Sequence, residues 1–339
     1  TIDFSNPFIH GNHLAAAAYE APLTLDDRLF FGPDLPPALD RSVEEGVLRA
    51  QKDAWFYRGE DFPAAKIGLR SAAGEQYTIV EEDTGDIVGT EGSETAFSTL
   101  HPGAVYLHMG DSYLVTSLDL DSHTAFVRPF WDNYHTLARR ETETRILGED
   151  LQDPIGPLSL YLGRISVSTR VIAFQKKRVG SEEVLGTEEL DLPQQEFVTE
   201  AMWFTLPPEM LTQSEDLLRL PGAIHAIEHA LIALLPLFAM CDRWDIGGLS
   251  TPVHSQTELP TIFIYDGHAG GVGISRQGFE RFREWIRDAC NLIRDCPCES
   301  GCPSCIQSPK CGNWNEPLDK EAALRLLQAM QPDDAMLVQ

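Results

Sequence analysis

The sequence predicts a multidomain α+β protein with a helical N-terminal part, a β-rich middle and an α+β C-terminal domain that carries a cysteine knuckle. Apolar residues approach helical spacing over the first sixty residues, and short strand-like runs separated by turn residues follow. Five of the seven cysteines then fall between Cys296 and Cys311. These observations place the predicted domains at 1–60, 61–150 and 151–339, with the knuckle at 296–312.

The N-terminal part is expected to be helical and to resemble a winged helix. Pro36-Pro37 opens a segment from Ala38 to Tyr57 whose apolar side chains approach a helical period. Acidic residues occupy its first turns, where the helix dipole favours them. Short helices followed by strands fit a winged helix, whereas a plain helical cap on the next domain fits equally well.

The middle part is expected to form a small barrel or sandwich, because short strand-like runs alternate with turn residues at regular spacing. A segment with several backbone breakers, Gly148 to Pro157, is predicted to link it to the last domain. The expected strands are Ala64–Arg70, Tyr77–Val80, Ile87–Val88, Ala104–Leu107, Tyr113–Leu120 and Ala125–Phe130.

The last domain is predicted to begin with strands and to continue with helices. One helix is apolar nearly all round, which is typical of a buried helix. The expected strands are Gly163–Lys177, Glu196–Leu206 and Thr261–Tyr265, with a polar hairpin loop at 178–192. The expected helices are Ala223–Cys241, Ser275–Ile293 and Leu318–Met330, with a glycine-rich turn at 266–273.

The charge balance argues against a protein that coats DNA indiscriminately. The chain carries 26 basic and 52 acidic residues, a net charge of −26, which repels phosphate on average but permits a local basic track. The longest apolar stretch, Ala230 to Met240, is too short to span a bilayer, and no signal-peptide pattern opens the sequence. We therefore expect a cytoplasmic protein. Its first residue is Thr, so we expect a piece of a longer protein.

The knuckle has the spacing of a four-thiolate metal site. Cys298, Cys302, Cys305 and Cys311 are the predicted ligands of one structural zinc ion, and Cys296 is a fifth thiol that could replace Cys298. An iron–sulfur cluster or disulfides are the alternatives, although disulfides suit small secreted domains better. Because four thiolates leave no open position for a substrate, the site is predicted to be structural rather than catalytic.

A second motif, His225-Ala-Ile-Glu228-His229, matches the inverted zinc-peptidase signature His-x-x-Glu-His. On a helix His225 and His229 would share a face. The motif is short and no clear third ligand follows it, so a structural role for this helix face is the competing interpretation. A zinc-dependent hydrolase using these three residues is therefore an alternative function.

Two further features could contact nucleic acid. The glycine turn at 266–273 lies between a predicted strand and a predicted helix, where backbone N–H groups could hold a phosphate; a tight structural turn is the alternative. Basic residues also cluster on one strand and on one helix face. Solvated faces paired with acids are the other interpretation of those clusters. The candidate DNA contacts are Arg170, Lys176, Lys177, Arg178, Arg283 and Arg287.

Catalytic motifs are absent from the sequence. It contains no Gly-x-x-x-x-Gly-Lys-Ser/Thr loop for ATP, no Asp-Glu-x-His or Asp-Glu-Ala-Asp motif and no Gly-x-Ser-x-Gly nucleophile elbow. No catalytic residue is predicted, and the chain alone is not expected to be a helicase motor.

The knuckle and its surroundings resemble the mitomycin repair factor A family of RecQ-like superfamily-two DNA helicases. The resemblance covers nearly the whole chain, but the family's ATP-binding motor is missing. The most specific stretch is Gly-Cys-Pro-Ser-Cys-Ile-Gln-Ser-Pro-Lys-Cys-Gly-Asn, residues 301–313, followed by Glu-Pro-Leu-Asp-Lys. Weaker matches are Asn6-Pro7, His13-Leu14, His101 to His108, His225, His229 and the glycines of the 266–273 turn.

The resemblance implies the C-terminal accessory region of an ATP-dependent 3′→5′ helicase that serves DNA repair. It implies partners in single-stranded or 3′-tailed DNA and in the motor domains of the same polypeptide, with ATP and Mg²⁺ confined to those domains. A monomer associated with the nucleoid is expected. A protein-interaction scaffold that never touches DNA is the remaining alternative.

Overall fold

The structure is a computed structural model that describes residues 7–67, 76–181, 183–211 and 214–331. Three successive parts each have a buried apolar cluster of their own, and the last part has two, one on each face of its sheet. The α+β class predicted from the sequence is confirmed.

The N-terminal part is a winged helix, as predicted, and the plain helical cap is wrong. Three helices precede a two-stranded antiparallel wing, and Leu14, Leu35 and Leu39 are fully buried between them. The predicted helix to Tyr57 ends earlier because Gly46 adopts a left-handed φ of 75° and the chain then turns into the wing. The elements are α1 (Pro7–Glu20), α2 (Arg28–Phe31), α3 (Leu35–Glu44), β1 (Leu48–Gln51) and β2 (Ala54–Tyr57).

The middle part is a barrel-like five-stranded sheet with one short helix that the sequence did not predict. Its strand order is β4-β3-β7-β6-β5, antiparallel except for the parallel pair β3 and β7. The two edge strands, β4 and β5, approach each other. A Cβ atom added to Gly89 on β4 would lie 3.1 Å from the His108 ring on β5. The elements are β3 (Gln76–Glu81), β4 (Ile87–Gly92), α4 (Ser93–Thr99), β5 (Val105–His108), β6 (Asp111–Asp119) and β7 (Thr124–Pro129).

The first predicted strand of this part, Ala64–Arg70, is only partly described. Residues Pro63–Lys66 form a short 3-10 helix instead. The remainder of that prediction, from residue 68, lies outside the described residues.

The predicted linker Gly148–Pro157 is wrong, and so is the domain limit at residue 150. A 22-residue strand, β8 (Tyr134–Ile155), turns at Gly156 and returns as β9 (Leu158–Arg178). Pro154 is tolerated because, among the described residues, β8 pairs only with β9 and needs no donor on its other side. Gly148 lies at a register shift of this ladder, so the glycine marks a bulge and not a boundary.

In the C-terminal sheet β8 pairs along the whole length of β9, which also pairs with β11 over residues 159–169 and with β10 over residues 173–177; β13 and then β12 follow β11. Three of its strands were not predicted: β8, one that lies in the expected polar loop, and one that contains two glycines. The further strands are β10 (Val184–Glu189), β11 (Gln195–Thr205), β12 (Ile246–Thr251) and β13 (Thr261–Asp266).

Helices cover one face of this sheet and enclose the main core. The central helix is long and apolar enough to cross a membrane. However, 67% of its apolar stretch, within Leu217–Leu237, is buried inside the protein, as in a core helix. The prediction started this helix after Pro221, but the helix begins earlier and contains that proline. The predicted helix 275–293 is in fact two helices that meet at Arg281. The helices are α5 (Ser214–Leu234), α6 (Ile274–Glu280), α7 (Phe282–Asp295) and α8 (Lys320–Met330).

Candidate metal centre

Four thiols converge in the loop that follows α7. Neighbouring Sγ atoms of Cys296, Cys298, Cys302 and Cys305 lie 3.5 to 3.8 Å apart. Thiolates about 2.3 Å from a tetrahedral zinc ion are separated by about 3.8 Å. The four residues therefore fit a zinc ion without rearrangement, and no disulfide joins them.

The backbone around Cys302 builds this pocket. The Cys302 carbonyl accepts hydrogen bonds from the N–H groups of Cys305, Ile306 and Gln307, which closes a tight turn. The Cys302 N–H points at Cys305 Sγ, 3.3 Å away. Gly301 has a φ of 116°, and a Cβ there would meet the Ile306 side chain at 2.5 Å. Glycine is therefore required both for the backbone conformation and for the space.

Lys320, at the start of α8, balances the negative charge of the thiols. Its Nζ donates to the Cys296 carbonyl at 2.7 Å, to the Cys298 carbonyl and to Cys298 Sγ at 3.3 Å. Burial would raise the pKa of Cys298, but hydrogen bonds from the neighbouring thiols and Lys320 outweigh it and lower that pKa to about 6. Burial raises the pKa of Cys305 to about 12.

Cys311 does not belong to this cluster, which corrects the predicted ligand set. Its Sγ lies 3.4 Å from His225 Nε2, and it groups with His225 and His229. Cys296 supplies the fourth thiol in addition to Cys298 rather than in its place. Residue spacing counts the separation along the chain, but it does not show that the loop after Ile306 turns away toward α5.

Polar contacts hold the loop that carries Cys311. The Asn315 side chain accepts from the Ser308 N–H at 2.7 Å and donates to the Ser308 carbonyl at 3.0 Å. Lys310 Nζ donates to the Arg243 carbonyl at 2.8 Å, and its burial lowers its pKa to about 8. The loop also docks on β8, where the Arg140 guanidinium donates to the Lys310 carbonyl at 2.7 Å. Lys310 of the sequence motif and Asn315 just beyond it thus maintain the shape of this loop.

The His-x-x-Glu-His motif lies on α5 with its members facing different ways. Glu228 accepts a hydrogen bond from Ser250 Oγ at 2.7 Å and lies against β12. His225 and His229 face the Cys311 loop instead. Burial would lower the pKa of His225, but its hydrogen bond with Cys311 outweighs this and raises the pKa to about 9. Burial would likewise raise the pKa of Cys311, but hydrogen bonds with both histidines lower it to about 6.

The carboxylate of Asp266, the first residue of the glycine turn, closes that turn. Asp266 is fully buried and accepts hydrogen bonds from the N–H groups of Val272, Gly273, Ile274 and Ser275, at 2.6 to 3.1 Å. These donors are the ones a phosphate would need. The structure therefore supports the tight structural turn and not the phosphate contact.

The predicted DNA contacts lie on two separate elements. Four are on β9, where acidic residues pair with three of them: Arg170 with Asp191 at 2.6 Å, Lys176 with Glu188 at 2.5 Å and Arg178 with Glu183 at 2.8 Å. Lys177 lies opposite His135 of β8. Arg283 and Arg287 are exposed on α7, where Arg287 contacts its sequence neighbour Asp288 at 3.1 Å.

Trp314 packs inside the knuckle region rather than standing free. Its ring nitrogen donates to the Leu137 carbonyl at 3.3 Å, and the Arg139 guanidinium lies 5.4 Å from its ring centre. A tryptophan beside the last cysteine could either stack on a nucleic-acid base or pack the knuckle. The contacts with β8 favour packing.

Comparison with known proteins identifies the same two regions. Residues 227–306 match the MrfA Zn-binding domain, and residues 2–72 match the winged helix domain of the ATP-dependent helicase HRQ1. The first match contains the four clustered cysteines, so the metal that fits them is zinc.

The likeness to whole proteins extends along the chain. It is 34% identical over 97% of its length to the uncharacterized ATP-dependent helicase YprA of Bacillus subtilis, and it covers 43% of that protein. It is 26% identical to the ATP-dependent helicase hrq1 of Schizosaccharomyces pombe, again over 97% of the chain and 32% of that protein. The chain thus spans less than half the length of these relatives.

A solved structure shares the fold. The crystal structure of DUF1998 helicase MrfA bound to DNA superposes with a TM-score of 0.55 and 33% sequence identity, over 96% of this chain and 43% of that one. Together with the winged helix, the barrel-like sheet and the zinc-binding cysteines, these matches show that the chain corresponds to the C-terminal region of MrfA-like helicases.

Proposed function

We propose that this chain is the accessory C-terminal region of an ATP-dependent, superfamily-two DNA helicase that moves 3′→5′ and serves DNA repair. The observation that carries the proposal is the likeness to the helicase YprA, which extends over 97% of this chain but covers only 43% of YprA. The sequence contains no ATP-binding motif. The motor, with its ATP and Mg²⁺, would therefore lie in the remainder of a longer polypeptide.

In this proposal the four-cysteine zinc ion is structural. All four thiolates would be ligands, which leaves no coordination position for a substrate. The knuckle joins α7 to α8, and both helices pack on α5, so the metal fixes the layer of helices against the sheet. A fixed C-terminal domain can hold single-stranded or 3′-tailed DNA for the motor. We expect it to act as a monomer in the cytoplasm, at the nucleoid.

Contacts with DNA must be local, because a net charge of −26 repels phosphate on average. The carboxylate partners on and beside β10 offset much of the charge of Arg170, Lys176 and Arg178. Arg283 and Arg287 are exposed, and the contact of Arg287 with Asp288 is a weak surface pair. We therefore expect α7 to contribute more to DNA affinity than β9 does.

Fluorescence anisotropy with a labelled single-stranded oligonucleotide at two salt concentrations tests this assignment. We expect weak binding with little sequence preference that falls steeply with salt. The double variant Arg283→Glu/Arg287→Glu should weaken binding to all sequences alike. Each lost phosphate contact should reduce the salt slope by about one ion.

Two comparison variants make that experiment decisive. Arg325→Glu on α8 is a matched control, because Arg325 is also an exposed arginine that pairs with an acid on its own helix. Charge reversal at Lys176, Lys177 and Arg178 measures the contribution of β9. Unchanged affinity after reversal of both clusters would rule out these residues and favour a protein-interaction scaffold.

The hydrolase alternative receives no support from the contacts of Glu228. A peptidase of the His-x-x-Glu-His type needs this carboxylate beside the metal-bound water. Here it accepts a hydrogen bond from Ser250 Oγ on β12.

A further inference from the structure

A second group of metal-ligating side chains lies beside the zinc-binding cysteines. His225 and His229 follow each other by one turn of α5, and their ring centres are 4.3 Å apart. Cys311 approaches from the loop before α8, with Sγ 3.4 Å from His225 Nε2. The three ligand atoms all lie within 4.8 Å of one another. We propose that these residues form a second metal site, for a zinc-class divalent ion.

Hydrogen bonds on the far side of each ring orient the imidazoles for metal binding through Nε2. His225 Nδ1 lies 2.9 Å from the Pro317 carbonyl oxygen, and His229 Nδ1 lies 2.7 Å from the Ile306 carbonyl oxygen. A carbonyl oxygen can only accept, so each Nδ1 carries the hydrogen. In the neutral rings both Nε2 atoms then keep a lone pair. Histidine ligands in metal sites are usually oriented by such a bond from the other ring nitrogen.

The backbone also prepares the sulfur of Cys311 as a thiolate. The N–H groups of Asn313 and Asn315 approach its Sγ at 3.4 and 3.2 Å. Trp314 and Asn315 adopt left-handed φ values of 56° and 63°, which bend the loop back around the sulfur. Hydrogen bonds to the charged form favour it, and the thiolate is the form that ligates metals.

The ligand set indicates the class of ion. Two imidazoles and one thiolate suit zinc and similar borderline divalent ions rather than calcium or magnesium, which prefer oxygen. For Zn–N of about 2.0–2.1 Å and Zn–S of about 2.3 Å, a tetrahedral site separates nitrogen and sulfur by about 3.6 Å. The observed 3.4 Å is close to this value.

This site is not the peptidase centre that the motif on α5 suggested. Glu228 is turned toward Ser250, and the third ligand is a cysteine 86 positions away from His225. The metal would tie the Cys311 loop to α5. Because that loop also receives the Arg140 and Trp314 contacts with β8, the site would join the helical layer to the edge of the sheet.

Metal stoichiometry of the purified chain tests the proposal, with zinc as the probe. After zinc loading and removal of excess metal, we expect two zinc ions per chain, one for each group of ligands. Cys311→Ser and His225→Gln should each reduce this to one. Cys241→Ser, a thiol outside both groups, and Glu228→Gln should keep two.

X-ray absorption at the zinc edge of the wild-type chain decides the matter even if a variant fails to fold. The proposal predicts nitrogen neighbours at about 2.0–2.1 Å together with sulfur at about 2.3 Å. One zinc per chain with a sulfur-only shell would overturn it. In that case His225 and Cys311 form a hydrogen-bonded pair without a metal.

Discussion

The two halves of the loop between α7 and α8 hold their cysteines in different ways. Residues 296–305 contribute all four thiols of the zinc site from ten consecutive positions. Residues 306–319 carry one thiol, and its partners are on α5, 82 and 86 positions upstream. The first half is a local unit that closes on itself. The second half acquires its environment only when the domain has folded.

The two halves of the loop therefore stabilise different parts of the C-terminal domain. The zinc site organises the loop and orients α8 through Lys320. The Cys311 half docks that loop on α5 and on β8. Disrupting the first should therefore affect the whole C-terminal domain, while changes in the flanking contacts should have smaller effects.

The largest effect is expected from Cys302→Ala. Structural zinc binding contributes on the order of 10 kcal/mol in small zinc domains, so loss of the site should release the metal and unfold or loosen residues 260–330. The winged helix and the middle sheet have separate cores and should stay folded. Hydrogen exchange and elemental analysis measure both effects. Equal loss of protection along the chain, or a zinc content equal to that of the wild type, would contradict this.

A matched thiol control accompanies that variant. Cys241 is only partly buried and lies outside both groups of ligands. Cys241→Ser should keep the zinc and the exchange pattern of the wild type. Cys290 is less suitable because it is buried in the main core.

Lys320→Met should weaken zinc binding without abolishing it. Residues that support metal ligands typically contribute about 10–100-fold to affinity, and Lys320 donates to Cys298 Sγ and to two ligand carbonyls. Competition with a chromophoric chelator measures the change. Lys320→Arg keeps the charge and should lose less. Equal affinity in all three proteins would show that the lysine does not compensate the thiolates.

Asp319→Ala should have a smaller effect, confined to stability. The carboxylate caps α8 through the Ala322 N–H at 2.9 Å and pairs with Arg219 at 2.6 Å, at about a quarter exposure. A lost N-cap costs about 1 kcal/mol and a partly exposed pair adds at most about 1 kcal/mol. Chemical denaturation at neutral pH measures the difference, and zinc content should not change. A destabilisation accompanied by zinc loss would place Asp319 in the metal site's support.

The contribution of Asp319 should also depend on pH. Burial would raise its pKa, but hydrogen bonds from Arg219 and the Ala322 N–H outweigh it and lower the pKa below the usual value. A carboxyl whose folded pKa is lowered stabilises the fold above its unfolded pKa and loses this as pH falls through the folded one. The stability difference between wild type and Asp319→Asn should therefore shrink below about pH 4. A constant difference down to acidic pH would contradict the assignment.

The same contrast between local and long-range contacts explains which features could be predicted from the sequence and which could not. Cys298, Cys302 and Cys305 were predictable because a short-range turn brings them together. Cys311 was misassigned because its partners are set by the packing of the loop on α5. Likewise β8 was not predicted, and Gly148 and Pro154 were assigned to a linker, because the edge position and the bulge that make both residues acceptable are properties of the folded sheet. Strands β3 to β7 were found because turn residues bound each of them locally.

We propose that this chain handles DNA for a motor that would lie elsewhere in a longer polypeptide. The most direct test measures unwinding of a 3′-tailed duplex and ATP hydrolysis on short single strands in the intact helicase, with and without Arg283→Glu/Arg287→Glu. We predict that unwinding falls much more than hydrolysis, because the ATP site is untouched. Equal losses of both activities, or unchanged unwinding, would contradict the claim.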